Sequence, residues 1–398
     1  MRVLVVAPVF PLRATSGLTI RLRGLLRALV KSHEVTLLCF YREEADLDAL
    51  TAVNQFCHKI VPVPIQTCSR YQSAPSSRMG TLWHAFFERQ PSMVKEWRST
   101  AMEREIEKIL SERYDAVWIS RLWLTSIMPK ISAKTVVDLD DMESVKLRRK
   151  LGTMPWKLIR VLGYLETLKL ASAERQLVER CSAVVVTSEK DRQALGSDNV
   201  FVLPNTVVVP NTVHGVPEKE HDDDLVFFGL MSYSPNADAV EYFSASIWPQ
   251  IKRARPTARL WIVGANPPPS VSHLHDGTSV IVTGYVDDLA ALLAECGVVI
   301  APLRIGGGTR IKILDAMAAR KAVVSTSIGC EGLDVRHGEH LLVADSPGEF
   351  AQSCLGLMAD RERREVLGSA ARRLVEERYR WELLPMIVDR ILEAVTSR

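Results

Sequence analysis

Residues Val298 to Asp334 read VVIAPLRIGGGTRIKILDAMAARKAVVSTSIGCEGLD. Val298–Leu303 is a short apolar run of the kind that forms a buried parallel strand. Gly306, Gly307 and Gly308 follow. A backbone without Cβ atoms takes positive φ readily and lets a ligand reach its N–H groups. Thr309 is placed to cap a helix, and Arg310–Arg320 has helical spacing, with Ile311, Leu314 and Ala318 on one side and Ile313 and Met317 beside them. Ala322–Thr326 reads as the next strand. The unit is therefore strand, glycine loop, helix, strand. The first amides of such a helix are unpaired and aimed at the loop, which makes an anion site. Arg310 and Lys312 add two cations at its mouth, and Asp315 adds a carboxylate able to grip neutral hydroxyls such as those of a ribose. The plain alternative is a tight turn that holds three glycines.

Working outward, Val3–Ala7 is a second buried run, and the loop from Pro8 to Ser16 ends at Gly17. Thr19–Val30 carries Leu22, Leu25, Leu26 and Leu29 at helical spacing, with Arg21, Arg23 and Arg27 on the other side. Glu34–Phe40 is the next strand. A β-α-β opening predicts a doubly wound sheet, whose ligands lie beyond the C-terminal strand ends, beside the Gly17 loop. Ala45–Phe56 reads as helix, Val61–Ser77 as a Pro- and Ser-rich loop, and Thr81–Arg98 as an irregular helix. That helix carries Trp83, Phe86, Phe87 and Trp97, either an acceptor-facing wall or core packing. Met102–Ser111 is a charged helix, and Ala116–Ser120 a strand with Arg121 at its end. Thr135–Leu139 is a strand, and at its end stands the acidic cluster Asp138, Asp140, Asp141 and Glu143. Those acids either bind an acceptor or, through Asp140 or Asp141, cap the helix that begins near Ser144.

Lys146–Arg160 holds basic residues at 146, 148, 149, 150, 157 and 160 and no acid. Trp156, Leu158, Ile159, Val161 and Leu162 interleave with them. The stretch 146–162 reads either as a face for an anionic membrane surface or as a solvated helix face. From Pro204-Asn205 to Asp224 the chain is rich in Pro, Val and charge, and reads as a linker. The second half opens with Leu225–Phe228 and Gly229. Ser234-Pro235 is expected to cap the helix that runs to Ile247. Further strands are expected at Arg259–Val263, Val280–Gly284 and Leu341–Ala344, with helices at Asp288–Ala294, Pro347–Leu357, Arg361–Arg378 and Trp381–Val395.

A chain of 398 residues with 47% hydrophobic and 24% charged residues suits two globular domains. A net charge of +3 gives no ground for nucleic-acid binding. No apolar run approaches the ~20 residues that span a bilayer. MRVLVVAPVFPLR reads as a first strand and not as a signal peptide. The seven cysteines are scattered without a CxxC pair, which suits reduced thiols in a cytoplasmic protein and no metal site. No G-x-G-x-x-G follows the first strand, which argues against a dehydrogenase.

The segment PLRIGGGTRIKILDAMAARKAVVSTSIGCEGLD resembles the donor-binding signature of glycosyltransferase family 4, the large retaining GT-B group. FFGLMSYSPNADAVEYF (Phe227–Phe243) is similar to the start of the second domain in a subgroup of bacterial sugar transferases. The resemblance implies a GT-B fold, α/β, with two Rossmann-like doubly wound domains facing across a cleft. It implies an acceptor-binding domain over 1–205, with the helix of 381–398 packed back on it, and a donor-binding domain over 206–380. The implied activity is metal-independent transfer of a hexosyl group from a nucleotide-diphosphate sugar to an acceptor hydroxyl with retention of configuration. No cofactor is implied beyond that co-substrate. The acceptor would be a sugar, a lipid-linked species or a small molecule, in glycan, glycolipid or natural-product synthesis. The enzyme would be cytoplasmic, with or without peripheral contact at the inner face of the membrane.

By the same resemblance Arg310 and Lys312 are the catalytic cations. Gly17, Asn236, Gly284, Tyr285, Gly306, Gly307, Gly308, Thr309, Ile311 and Asp315 are expected to contact the donor, and the strand-end residues Arg121, Asp140 and Asp141, read from their own pattern, are the candidates for the acceptor. The chain departs from the family in four places. A histidine common near position 120 is replaced by Ser120-Arg121. The Arg and Lys usual in the loop after Gly229 are absent. The family's two glutamates eight positions apart become Gly307 and Asp315. These departures leave two rivals: a nucleotide-sugar epimerase of the same fold and a non-catalytic nucleotide-sugar-binding subunit.

Overall fold

The computed structural model describes residues 1–11, 16–42, 57–69, 88–130, 134–154, 158–210 and 221–397. The expected helix over Ala45–Phe56 and the aromatics Trp83, Phe86 and Phe87 lie outside these. The chain divides into two compact units, Met1–Pro204 with Glu382–Arg398, and Asn205–Trp381.

The first unit is a seven-stranded parallel sheet. Its strands are β1 (Arg2–Ala7), β2 (Glu34–Tyr41), β3 (Lys59–Pro64), β4 (Ala116–Ser120), β5 (Lys134–Asp140), β6 (Ala183–Val186) and β7 (Val200–Val202), in the order β3-β2-β1-β4-β5-β6-β7. Val3 pairs with Val35 on one side and Ala116 on the other. Side chains along β1 alternate between two cores. Leu4 and Val6 join Ile106, Ile109, Leu170 and Leu177, while Val3, Val5 and Ala7 join Leu22, Leu25, Leu26 and Leu29. Both faces are covered, which is why the strands read as continuous apolar runs.

β3 was expected as loop. Pro62 and Pro64 sit in it, and a strand containing proline belongs at a sheet edge, which is where β3 lies. Trp97 packs on Trp123 with ring centroids 5.8 Å apart and on Phe40 at 6.1 Å, so its duty is core packing. The helix Leu384–Thr396 buries Leu384, Val388, Ile391, Leu392 and Val395 in the core shared with Gly17–Leu29, and Asp389 pairs with His33 at 2.8 Å.

The second unit is a six-stranded parallel sheet of β8 (His221–Phe228), β9 (Arg259–Val263), β10 (Val280–Gly284), β11 (Cys296–Ala301), β12 (Ala322–Ser325) and β13 (Leu342–Val343), in the order β10-β9-β8-β11-β12-β13. His221–Asp224, read above as linker, is the start of β8. Asp224 earns that place through Arg259 and the Trp261 indole, which donate to it at 2.7–2.9 Å from the neighbouring strand.

The helix after β8 spans Ser234–Tyr242, a π segment Phe243–Ile247, and Trp248–Ala254. Pro249 lacks the N–H that an unbroken α-helix would need there. Ser234 is its first residue and makes no cap; Tyr233 holds that position, and Pro235 fills the first turn.

Both strand orders reverse once, between β1 and β4 and between β8 and β11. Ligands in such sheets bind beyond the C-terminal strand ends at that reversal. In the first unit Arg121 stands there. In the second, the loops after β8 and β11 do, carrying Gly229 and the three glycines.

Candidate functional site

The second unit's reversal point is built by three loops that hold one another. Gly229 N–H donates to Val263 at 2.9 Å, Met231 N–H to Ala265 at 3.0 Å, and Gly264 N–H to Gly284 at 2.8 Å. Beside them, β11 leads into the glycine loop, where Gly308 has φ 63°. A side chain is disfavoured in that left-handed region, so the turn into the helix relies on glycine there.

The helix itself is Ile311–Ala318. Thr309 does not cap it. The cap position is Arg310, in extended backbone, and its side chain folds back so that Nη1 donates to the carbonyls of Gly307 and Gly308. The guanidinium lies against bare Gly306, where a Cβ would collide with it, and its Nη2 is buried without a hydrogen-bond partner among the described residues. Thr309 is buried, and its carbonyl accepts from Asn205 Nδ2 at 3.3 Å. Ile311 is partly buried against the apolar cluster under the helix.

Lys312 reaches from the first turn of this helix to the loop after β8. Its Nζ donates to Asn236 Oδ1 at 2.7 Å and sits 4.0 Å over the Phe227 ring. Asn236 is oriented in turn by donating Nδ2 to the Leu230 carbonyl at 2.8 Å. Both side chains press on Gly229: a Cβ there would lie 2.8 Å from Asn236 Nδ2 and 2.9 Å from Lys312 Nζ. The ammonium therefore stands directly over the backbone at the end of β8. Burial, and after it the charge of Arg310, hold the Lys312 pKa well below the ordinary lysine range. Neither Arg310 nor Lys312 is in an ion pair with a described residue.

Asp315, one turn further on, has no hydrogen-bond or ion-pair partner for its carboxylate among the described residues, and burial pushes its pKa up to about 7. The helix thus presents a cation without a counter-anion and a carboxylate without a donor. An anion would suit the first and hydroxyl groups the second. Gly284, with φ 72°, ends β10, and Tyr285 after it is 67% exposed. Sequence reasoning did not foresee that Lys312 and Asn236, 76 positions apart, would meet.

The first unit's candidate residues lie in a buried charge network at the ends of β4 and β5. Arg21, expected on the outer side of its helix, is buried and holds Asp138 through Nε at 2.9 Å and Nη2 at 2.8 Å. Arg121 pairs with Asp140 and lies 3.8 Å from Asp141. Burial works against the Arg121 charge, but Asp140 and its acidic neighbours outweigh it and leave its pKa above the usual value. Lys146 completes the chain to Glu143 at 2.6 Å and Asp141 at 3.4 Å.

Arg121 and Asp140 both have positive φ, 87° and 57°, an unusual backbone for such residues that the surrounding ion pairs hold in place. Of the three residues assigned to an acceptor, Arg121 and Asp140 are buried and spend their charges on each other, and Asp141 is the partly exposed one. Neither Asp140 nor Asp141 caps the helix Glu143–Thr153. The missing acceptor comes from Glu174, which takes Ser144 N–H at 3.0 Å and Ser144 Oγ at 2.5 Å. Gly17 is exposed at the first position of its helix, behind a cap in which Ser16 and Thr19 bond reciprocally.

With this geometry in view, residues 222–360 match the family described as Glycosyl transferases group 1. An uncharacterized 44.6 kDa protein in the cps region of Klebsiella pneumoniae is 23% identical over 358 residues, 87% of this chain and 88% of that protein. Among solved structures, sucrose-phosphate synthase from Thermosynechococcus elongatus superposes with a TM-score of 0.69 at 14% identity, covering all of both chains. TarM gives 0.70 at 11% identity, covering 98% of this chain and 99% of the other. HepE of Anabaena, solved with UDP and glucose, gives 0.68 at 14% identity, covering 99% and 100%. The fold is that of the GT-B glycosyltransferases, and the family match together with these neighbours supports glycosyl transfer as the activity.

Proposed function

We propose that this chain is a retaining glycosyltransferase of family 4 that moves a sugar from a nucleotide-diphosphate donor to an acceptor hydroxyl. The observation that carries the reading is Lys312, without a counter-anion among the described residues and poised over the Gly229 backbone beside a glycine loop at the reversal of a doubly wound sheet. The diphosphate would take Lys312, the free Nη2 of Arg310 and the first helix amides as partners. Asp315 would accept from the ribose hydroxyls, and the backbone at Gly284 and Tyr285 would meet the base. Lys312 would gain a counter-anion and Asp315 a donor, which the described residues do not supply.

Chemistry then follows from charge. As the bond between anomeric carbon and phosphate oxygen lengthens, negative charge builds on the diphosphate. Lys312 and the loop amides stabilise it more in the transition state than in the bound donor. The acceptor oxygen attacks the same face, and its proton passes to the departing phosphate oxygen, so no protein nucleophile is required. The first unit is assigned to the acceptor. The HepE and TarM structures contain UDP, which makes UDP-sugars the first donors to try. The cps-region relative points to glycan synthesis in a bacterium.

The test is a screen of UDP-, GDP-, dTDP- and ADP-sugars by thermal shift, followed by mass spectrometry with sugar and lipid-linked acceptors and NMR of the product's anomeric centre. Lys312→Ala should lower kcat by roughly 10²–10³, the usual cost of one donor group aimed at developing charge, with unfolding temperature little changed. Wild-type turnover by that variant would refute the assignment. Donor binding without transfer would favour a binding subunit, and a new nucleotide sugar formed without acceptor an epimerase.

A further inference from the structure

Among the described residues of the basic stretch, Lys146 joins the charge network, and none of them enters the proposed chemistry. It forms a helical hairpin between β5 and β6, made of Glu143–Thr153 and Leu158–Arg180. The two helices touch closely, since a Cβ on Gly163 would collide with the Leu151 side chain. The sheet-facing side is apolar, with Leu170 and Leu177 in the core. The outward side is not uniform. Near the tip Val161 is 44% exposed and Leu168, two turns along the same face, 67% exposed, with Leu165 partly exposed between them. From one turn beyond, the same face carries exposed Ser172, Arg175 and Glu179.

On the companion helix Arg148 and Lys150 are exposed and have no ion-pair partner among the described residues. From Ser144 to Leu165 the sequence contains no acid. A stripe of exposed and half-exposed apolar residues on one helix, with two exposed cations on the companion helix that lack an ion-pair partner among the described residues, at one end of a hairpin whose other end is ordinary polar surface, has a defined complement. It is a layer that is apolar beneath and anionic on top. A second copy of this chain would bring cation against cation.

We propose that the hairpin tip, through Val161, Leu165, Leu168, Arg148 and Lys150, docks the protein reversibly on an anionic lipid bilayer. The leucines and valine enter the headgroup boundary while the cations meet lipid phosphates. The proposal does not depend on which sugar is transferred.

The test is flotation of the full chain with vesicles of phosphatidylcholine alone and of phosphatidylcholine with 30% phosphatidylglycerol, ~30% being an ordinary anionic load. Wild type should float with the anionic vesicles and lose most of that binding in high salt. Arg148→Glu with Lys150→Glu should weaken binding by at least ~20-fold, about fivefold for each cation lost. Leu168→Glu should also release the protein from anionic vesicles. Arg175→Glu alters charge on the polar end of the same helix and should leave binding within about twofold of wild type. Thermal melts of all variants should match, because the positions are exposed. The proposal is overturned if wild type stays with the soluble fraction. It is equally overturned if Arg175→Glu weakens binding as much as the tip variants. It also fails if light scattering shows a dimer that Leu168→Glu dissociates, which would make the stripe a protein interface.

Discussion

Asp315→Asn is the most informative single change. The two side chains have the same shape, but Asn cannot ionise. In the folded chain burial raises the Asp315 pKa from 3.8 to about 7. The folded protein therefore holds a proton that the unfolded chain has already released between those values. Stability from this group is complete below about pH 4, falls as pH rises through about 7, and is constant above. At 1.36 kcal/mol per unit the full shift corresponds to about 4 kcal/mol. Asp315 is partly exposed, so solvent screening reduces this to roughly 1–3 kcal/mol.

Asp315→Asn should then match wild type near pH 4–5 and be more stable by roughly 1–3 kcal/mol at pH 8. Denaturant midpoints at pH 5, 6, 7 and 8 measure the gap. Saturating UDP should narrow the gap at pH 8, because ribose hydroxyls donating to the carboxylate favour its charged form in the wild type only. A gap that is the same at every pH, or one in which Asn is the less stable at pH 8, would refute the account of a carboxylate held without partners.

Gly229→Ala should cost at least about tenfold in donor affinity, since the added methyl meets Lys312 Nζ and Asn236 Nδ2 within 2.9 Å; isothermal titration with UDP and a melting curve separate this from loss of fold. Arg121→Ala removes the nearer cation from buried Asp140, Arg21 remaining 3.9 Å away, and should destabilise the first unit by roughly 3 kcal/mol, read as a lowered denaturant midpoint; an unchanged midpoint would remove the network from the list of things that hold these strand ends. All seven cysteines are buried, with burial pushing the Cys57, Cys68, Cys181 and Cys296 thiols up to about 12. Ellman's reagent at pH 8 should find almost no reactive thiol in the native chain and seven after denaturation.

The strands and the strand–glycine loop–helix unit were legible because their signal is local. β1, β5 and β11 are apolar runs between turns, and Gly308 needs no partner to announce a left-handed turn. What failed to show was decided across the sequence. Arg21 sits in a row with Arg23 and Arg27, and nothing in that row marks the one that turns inward to Asp138, 117 positions on. Thr309 and Ser234 are good capping residues by type, yet Arg310 and Tyr233 hold the caps, because loop geometry fixed by the glycines and by Pro235 sets where each helix begins. Ser144's amide waits for Glu174 in the same way. β3 was hidden by its prolines, which exclude a central strand but not an edge one.

The same division explains the candidate site. Which residue types it contains could be read from the glycine loop onwards; which of them are satisfied could not. In the first unit Arg121, Asp140, Arg21 and Asp138 close on one another, so this network spends its charges holding strand ends in place. In the second unit Lys312 is given a neutral amide and Asp315 no partner among the described residues, and both are held away from their ordinary protonation behaviour. Evolution of stability alone would remove that arrangement, since an apolar side chain at either position avoids the cost of desolvating a charge. A helix start that keeps a cation without a counter-anion and a carboxylate without a donor among the described residues, within one turn of each other, is better explained by a ligand carrying both phosphate and hydroxyl groups than by packing.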